Sequence, residues 1–184
     1  MVRNNTLPSI GQVIVINGAS SAGKSSMLAA LQDASPAPFL DAGLDKFLFM
    51  LPKQYLNLHW MDVLGRATEA GPMGHTLIQG MHRAVAVLAK SGLNVVVDHV
   101  MVEPSWAADC ATALEGVPAY LVGAHCPLEE LERRETKRKD RTLGQARAQF
   151  ELVHQHGIYD LDVDTSQTVE VDGDAGTVVL QAEQ

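Results

Sequence analysis

The sequence predicts an α/β fold of three layers, a parallel sheet with helices packed on both of its faces. Three observations carry that expectation. Segments of strand and helix character alternate along most of the 184 residues, the pattern that builds parallel βαβ units. The strand segments are continuous β-branched or apolar runs, Val13-Ile14-Val15-Ile16 and Val95-Val96-Val97 among them, as strands buried on both faces should be. Gly18-Ala19-Ser20-Ser21-Ala22-Gly23-Lys24-Ser25 matches G-x-x-x-x-G-K-[ST], the phosphate-binding P-loop or Walker A pattern, between a strand and a helix, which is the context it needs.

Taken in order, Met1 to Gly11 reads as a frayed leader, followed by a strand over Gln12 to Asn17 and a helix over Lys24 to Gln32. Pro36 and Pro38 bracket the next connection, and Phe39 to Gly43 is a short strand candidate. Leu44 to Leu51 reads as a short helix stopped by Pro52, with Asp45 near its start. Pro52 to Gly74 is the least regular stretch; it gathers Tyr55, His59, Trp60 and Met61 in a chain that is only 5% aromatic. A connection this long is usually functional or has structure of its own, so it is either a flap over a partly apolar substrate or a loop anchored by Trp60.

From Thr76 the period turns helical, with Leu77, Ile78, Met81, Val85 and Leu88 on one face and Gly92 ending the run. Leu93 to Asp98 is the second strong strand. Pro104 to Leu114 reads as a helix with proline in its first turn, and Ala119 to Ala124 as a third buried strand. Leu128 to Lys139 is a charged helix, acidic at its start and basic at its end in the sense that suits the helix dipole. Asp140-Arg141-Thr142 breaks it, helix resumes over Gln145 to His156, and Leu161 to Thr165 is a last short strand.

Composition narrows the class. The length suits one domain spanning residues 1–184 with a core of its own. A net charge of −8 argues against non-specific nucleic-acid binding. No apolar run approaches transmembrane length, and the polar, proline-interrupted start does not resemble a signal peptide. Cys110 and Cys126 stand alone, without a C-x-x-C, and fit buried or half-buried thiols in a reducing cytoplasm.

Three constellations carry chemistry. In the P-loop, Gly18 and Gly23 let the backbone turn tightly and approach a ligand, and loop amides with the helix N-terminus face one anion. Candidate nucleotide contacts are Gly18, Ser20, Ser21, Ala22, Gly23, Lys24, Ser25 and Ser26. Lys24 would reach the β- and γ-phosphates and the Ser25 hydroxyl would bind Mg²⁺.

The second constellation is acidic. Asp98 ends a buried strand, where open α/β sheets place their ligands, and is a candidate for the Mg²⁺ shell with Ser25; the plainer reading is a strand-end cap. Asp45 should share that edge and could orient an acceptor hydroxyl and take its proton; the plainer reading is a helix N-cap. His99 points away from Asp98 by alternation and is either an acceptor-site residue or a satisfied structural histidine. The third is basic: Arg133, Arg134, Lys137, Arg138, Lys139 and Arg141 crowd nine positions of an otherwise acidic chain. This suits a lid over about 134–144 that closes on nucleotide, or simply a solvated helix end.

Together, Ile16-Asn17-Gly18-Ala19-Ser20-Ser21-Ala22-Gly23-Lys24-Ser25, Gly43-Leu44-Asp45, Val97-Asp98, Arg134-Glu135-Thr136 through Asp140-Arg141, and Tyr159-Asp160 with Val163-Asp164-Thr165 resemble chloramphenicol phosphotransferase. More broadly they resemble the shikimate-kinase and adenylate-kinase group of P-loop kinases. The resemblance runs from about Gln12 to Thr165. It implies a P-loop kinase fold with five parallel strands and a small lid, and transfer of phosphate from ATP with Mg²⁺ to a hydroxyl of a small molecule. It implies Asp45 as catalytic base, Arg141 as catalytic lid arginine, and Arg134 and Arg138 as adenine-facing lid arginines. Three features depart from the family: His99 stands where a second acid is common, the 52–74 flap matches poorly, and Val169 to Gly173 reads as strand and turn rather than a final helix.

The expectation is therefore a cytoplasmic antibiotic O-phosphotransferase acting on an acceptor such as chloramphenicol, with Lys24, Asp45 and Arg141 in the chemistry. A metabolite kinase of the same fold, a non-catalytic P-loop nucleotide binder and a nucleic-acid 5′-end kinase stay open as alternatives, as does a homo-oligomer. The absence of an Asn-Lys-x-Asp stretch disfavours a GTPase-type switch, and the acidic balance disfavours a nucleic-acid or membrane partner.

Overall fold

The computed structural model describes residues 9–56, 67–68, 71–137 and 143–166. Its elements in chain order are β1 (Val13–Asn17), α1 (Lys24–Ala34), β2 (Phe39–Asp41), α2 (Leu44–Leu48), α3 (Lys53–Leu56), β3 (Ala67–Thr68), β4 (Gly71–Pro72), α4 (Met73–Lys90), β5 (Asn94–His99), α5 (Pro104–Ala113), β6 (Ala119–His125), α6 (Leu128–Lys137), α7 (Gln145–Phe150) and β7 (Leu161–Asp164). Five strands form one sheet in the order β2-β5-β1-β6-β7, and every neighbouring pair is parallel. The expected sheet and its strand count are both present; β3 and β4 pair separately, antiparallel.

The alternation of side chains along each strand divides the interior in two. Val13, Val15, Val95 and Val97 face α4 and α5, where they meet Ile78, Met81, Val85 and Trp106. Ile16 and Val96 face the other way, against Leu28 of α1, Leu131 of α6, Ala146 of α7 and Val153. Burying each such side chain is worth roughly 1.5–3 kcal/mol, so a strand with both faces covered is held from two directions. The register sets Asn17 opposite His99 on β5 and opposite Gly123 on β6. The carboxyl ends of β1 and β5 therefore finish level, β6 runs on to His125, and the P-loop rises from the middle of that edge.

Several boundaries differ from those read in the sequence. α2 stops at Leu48 rather than Leu51: the Met50 and Leu51 amides donate to the Phe47 and Leu48 carbonyls in tighter turns, and Pro52 disfavours helix in Leu51 itself. α4 begins at Met73, three residues before Thr76, directly after β4. α7 ends at Phe150, and 151–156 continue as turns instead of helix. The irregular stretch has structure of its own, in α3 and in the β3–β4 pair. Its aromatic part, including His59, Trp60 and Met61, lies outside the described residues, as do Arg138 to Thr142 of the lid and the tail from Gln167. Cys110 and Cys126 are both free and buried; burial pushes the Cys110 thiol up to about 12. Among the described residues no helix is long and apolar enough to cross a membrane.

Candidate active site

The P-loop leaves β1 at Gly18, packed so close to β6 that a Cβ there would sit 2.7 Å from the Ala124 carbonyl oxygen. Ser21 has φ 66°, the left-handed region that costs a side-chain-bearing residue about 1–3 kcal/mol, and Gly23 follows at φ 85°. Alternation of this kind turns successive amides toward one point, a nest for an anion. The Ser21 hydroxyl oxygen is buried with no partner among the described residues. Ser25 and Ser26 open α1 and are exposed, whereas Ala22 is buried.

Three side chains are drawn together at the sheet edge. The Ser25 hydroxyl donates to Asp98 Oδ2 at 2.8 Å. Lys24 Nζ lies 3.5 Å from Asp98 Oδ1 and donates to the Ala19 carbonyl at 2.9 Å. Lys24 is 6% exposed and Asp98 24%, so this charge pair is held close under the loop yet open to a ligand from above. Through the Ser25 bond Asp98 ties the P-loop to β5. An exposed hydroxyl beside one carboxylate is the sparse oxygen set on which Mg²⁺ binds with waters and phosphate oxygens. Among the described residues no three His, Cys, Asp or Glu side chains group to hold a metal by themselves.

Asp45 stands in the first turn of α2, half-buried. The N-cap of that helix is Gly43, without a side-chain cap bond, which removes the capping account of Asp45. Gly43 matters for a different reason. A Cβ there would lie 3.2 Å from Asp98 Cβ and 3.3 Å from Asp41 Oδ1, so glycine lets the chain after β2 pass directly against Asp98 and delivers Asp45 to the same edge. Beside it, Phe47 of α2 and Met73, Thr76, Leu77, Gly80 and Met81 of α4 line a groove of about 290 Å³. Nothing lies within 4 Å of the place a Gly80 Cβ would occupy; the missing side chain is part of the groove's room.

On the other flank, Arg134 of α6 donates to the Thr165 carbonyl at 2.6 Å and to Glu130 at 2.6 Å, and its guanidinium sits 3.7 Å from where a Gly23 Cβ would be. It therefore stands against the P-loop at Gly23. Arg133 and then Arg134 hold the Glu130 carboxyl down at about 2. Arg138 and Arg141 lie outside the described residues.

His99 points to the opposite face from Asp98, as alternation requires, but it lines no open site. It is fully buried, its Nε2 lies 3.0 Å from His82 Nε2, and His82 Nδ1 lies 2.7 Å from Asp109 Oδ2. Burial, and then the neighbouring His82, lower its pKa to about 3. A tautomer set in which His82 donates to Asp109 and accepts from a neutral His99 satisfies both contacts.

The long-range contacts of two residues, Ser20 and Asn17, escaped the sequence. The Ser20 amide donates to Gln149 Oε1 at 2.6 Å. Asn17 Nδ2 donates to the Val153 carbonyl and to the Tyr159 hydroxyl, each at 2.7 Å, while its Oδ1 accepts from the Met101 amide. Asn17 belongs to the strand-loop motif, but its partners lie far along the chain and no local pattern announces them.

The chain has relatives among known proteins. The family model described as chloramphenicol phosphotransferase-like protein matches residues 11–178. Two Mycobacterium tuberculosis proteins provisionally named O-phosphotransferases, MT2714 of strain CDC 1551 / Oshkosh and Rv2636 of strain H37Rv, are each 33% identical over 172 residues, covering 86% of this chain and 76% of theirs. Among solved structures, a gluconokinase from Sinorhizobium meliloti 1021 aligns with a TM-score of 0.59 at 21% identity, over 87% of this chain and 85% of that one. The APS kinase CysC of Mycobacterium tuberculosis, in complex with AMPPNP and APS, aligns with a TM-score of 0.59 at 20% identity, over 88% and 92%. The chain belongs to the chloramphenicol phosphotransferase-like family, phosphotransferase enzymes built on the P-loop kinase fold.

Proposed function

We propose that this protein transfers the γ-phosphoryl group of ATP to a hydroxyl of a neutral or weakly polar small molecule, an antibiotic such as chloramphenicol at its 3-hydroxyl, and so confers resistance to it. The observation that carries the reading is the meeting, at one sheet edge, of the P-loop, the Asp98 carboxylate and the chain that delivers Asp45 past Gly43. Lys24 would bind the β- and γ-phosphates, with Gly18, Ser20 to Gly23 and Ser26 shaping the cradle. Ser25 and Asp98 would hold Mg²⁺, whose charge stabilises the transferring group when it is bound. Asp45 orients the acceptor hydroxyl and takes its proton. Arg134 and Arg138 flank the adenine, and Arg141 meets the charge that develops on transfer, from a lid over about 134–144. Residues 1–184 act as one domain, with 52–74 over the acceptor, and two free cysteines suit a cytoplasmic setting.

The groove between α2 and α4 supports the acceptor class. Its lining is apolar but for one hydroxyl, Thr76, and includes no charged side chain, which favours an uncharged, partly aromatic acceptor over a sugar acid or a nucleotide. The test is mass spectrometry of products from wild type and Asp45→Asn with Mg-ATP and a panel of chloramphenicol, other hydroxylated antibiotics, gluconate and nucleosides. Phosphorylated chloramphenicol, or a comparable neutral alcohol, from wild type alone is the expected result. Phosphorylation of anionic metabolites only would move the protein to metabolite kinases of the same fold, and full activity in Asp45→Asn would remove that residue from the mechanism.

A further inference from the structure

Ser20 spends its amide on a side chain 129 residues away. The contact to Gln149 Oε1 is 2.6 Å long and buried, with Ser20 7% and Gln149 5% exposed. In a dry place, a backbone N–H without an acceptor is costly, so this bond selects one loop conformation. It falls immediately before Ser21, the residue held at φ 66°.

Gln149 is itself held from both ends. α7 starts where the buried Glu135 carboxylate accepts from the amides of Gly144 at 2.8 Å and Ala146 at 2.9 Å. It ends where the Gln149 carbonyl accepts from the amides of Leu152 and Val153. Four residues on, the Val153 carbonyl accepts from Asn17, the residue that leads into the loop. The stretch from Gln149 to Val153 therefore grips the P-loop at two points, one on each side of Gly18, with parts already fixed to α6.

We propose that Gln149 is a positioning residue for nucleotide binding: by accepting from the Ser20 amide, it keeps the anion nest formed before any phosphate arrives. The proposal rests on the nucleotide reading above and assigns a role to a residue outside the phosphate-binding motif. Inside the loop the Ala22 amide and Lys24 Nζ both donate to the Ala19 carbonyl, at 3.2 and 2.9 Å; the Gln149 contact fixes Ser20 in addition, and fixing the loop beforehand removes the ordering cost from the binding step. Gln149 touches no reacting atom in this account, so its loss weakens nucleotide binding and leaves the acceptor groove alone.

Gln149→Met tests this in the full-length protein, since methionine matches the length and shape of glutamine but offers only a weak sulfur acceptor. In the ligand-free protein, hydrogen exchange at the Ser20 amide should accelerate in Gln149→Met and return toward wild-type protection in Gln149→Glu, which restores the oxygen. In calorimetry, AMPPNP affinity should fall about tenfold in Gln149→Met, with the KM for acceptor unchanged. Leu114→Ala, a core truncation just after α5 in the cluster on the opposite face of the sheet, supplies the control: its melting temperature falls while AMPPNP affinity and Ser20 exchange stay as in wild type. The proposal is overturned if Gln149→Met binds AMPPNP as wild type does, if Ser20 exchange is unaltered, or if Leu114→Ala reproduces both effects. Failure of wild type itself to bind AMPPNP would instead sink the nucleotide reading, and the exchange measurement would still decide whether Gln149 holds the loop.

Discussion

Asp98 and His99 are neighbours at the end of one strand and live in opposite surroundings. Asp98 is 24% exposed, keeps Ser25 and Lys24 within reach, and sits under a loop built to receive an anion. His99 is 0% exposed and begins a chain that runs through buried His82 to half-buried Asp109 between β5, α4 and α5. The pleat alone separates them. The difference teaches how to divide the polar residues of this protein: groups on the Asp98 side should answer to changes in turnover, groups on the His99 side to changes in stability.

The largest effects are expected on the Asp98 side. Lys24→Ala should reduce turnover by on the order of 10³-fold or more, with the melting temperature within a few degrees of wild type; a folded mutant with wild-type turnover would break the comparison outright. Asp45→Asn should lose about 10²–10⁴-fold in acceptor phosphorylation, the range of general-base assistance, while ATP affinity stays within a few-fold. Steady-state kinetics beside direct nucleotide titration separates the two. Arg141→Ala, next in size, should lower kcat about 10- to 100-fold and raise the KM for ATP less, because its contact strengthens in the transition state. A change in KM alone would make Arg141 an ordinary surface charge.

What the sequence made legible follows the same division. Continuous apolar strands, the P-loop and the acid at a strand end are local patterns with mechanisms, and each reappears in place. Gly43 was visible only as half of Gly-Leu-Asp; its use, passing the chain against Asp98, is a tertiary fact. Gln149 and the partners of Asn17 carried no local signal, since their contacts span 84 to 142 residues. The end of α7 was missed because Glu151 to His156 have acceptable helix propensity, while Val153 and the Asn17 bond draw the chain into turns across the sheet edge. His99 was legible in direction but not in partner, because His82 lies on a different element, α4.

A smaller effect tests the buried side. Asp109→Ala should cost about 1–3 kcal/mol of stability by leaving His82 without its acceptor, while kcat and the KM for ATP change less than about twofold. Denaturant titration and kinetics on the same preparation check it. A drop in turnover without loss of stability would mean that the histidine chain reaches the reacting edge after all.

The gentlest probe of the comparison is pH. His99 is held near 3 and His82 also below its ordinary 6.5, in both cases chiefly by burial. Unfolding returns each to about 6.5, so below that pH the unfolded chain binds protons that the folded chain refuses. Stability is therefore greatest above about pH 6.5 and falls as pH drops toward 3, each refused proton contributing about 1.4 kcal/mol per pH unit. His154, lowered to about 4 by burial and by His125, slopes in the same direction. Glu130, held at about 2, adds a further loss only below its ordinary 4.5, so the window from pH 6.5 to 5 belongs to histidines. Urea midpoints measured across that window should decline for wild type and decline less steeply for His99→Gln, which deletes one titrating group. The slope decides the matter even if that variant starts from lower stability. Equal slopes in the two proteins would show that His99 takes up a proton readily in the fold, and the sharp separation of the two faces at β5 would no longer stand.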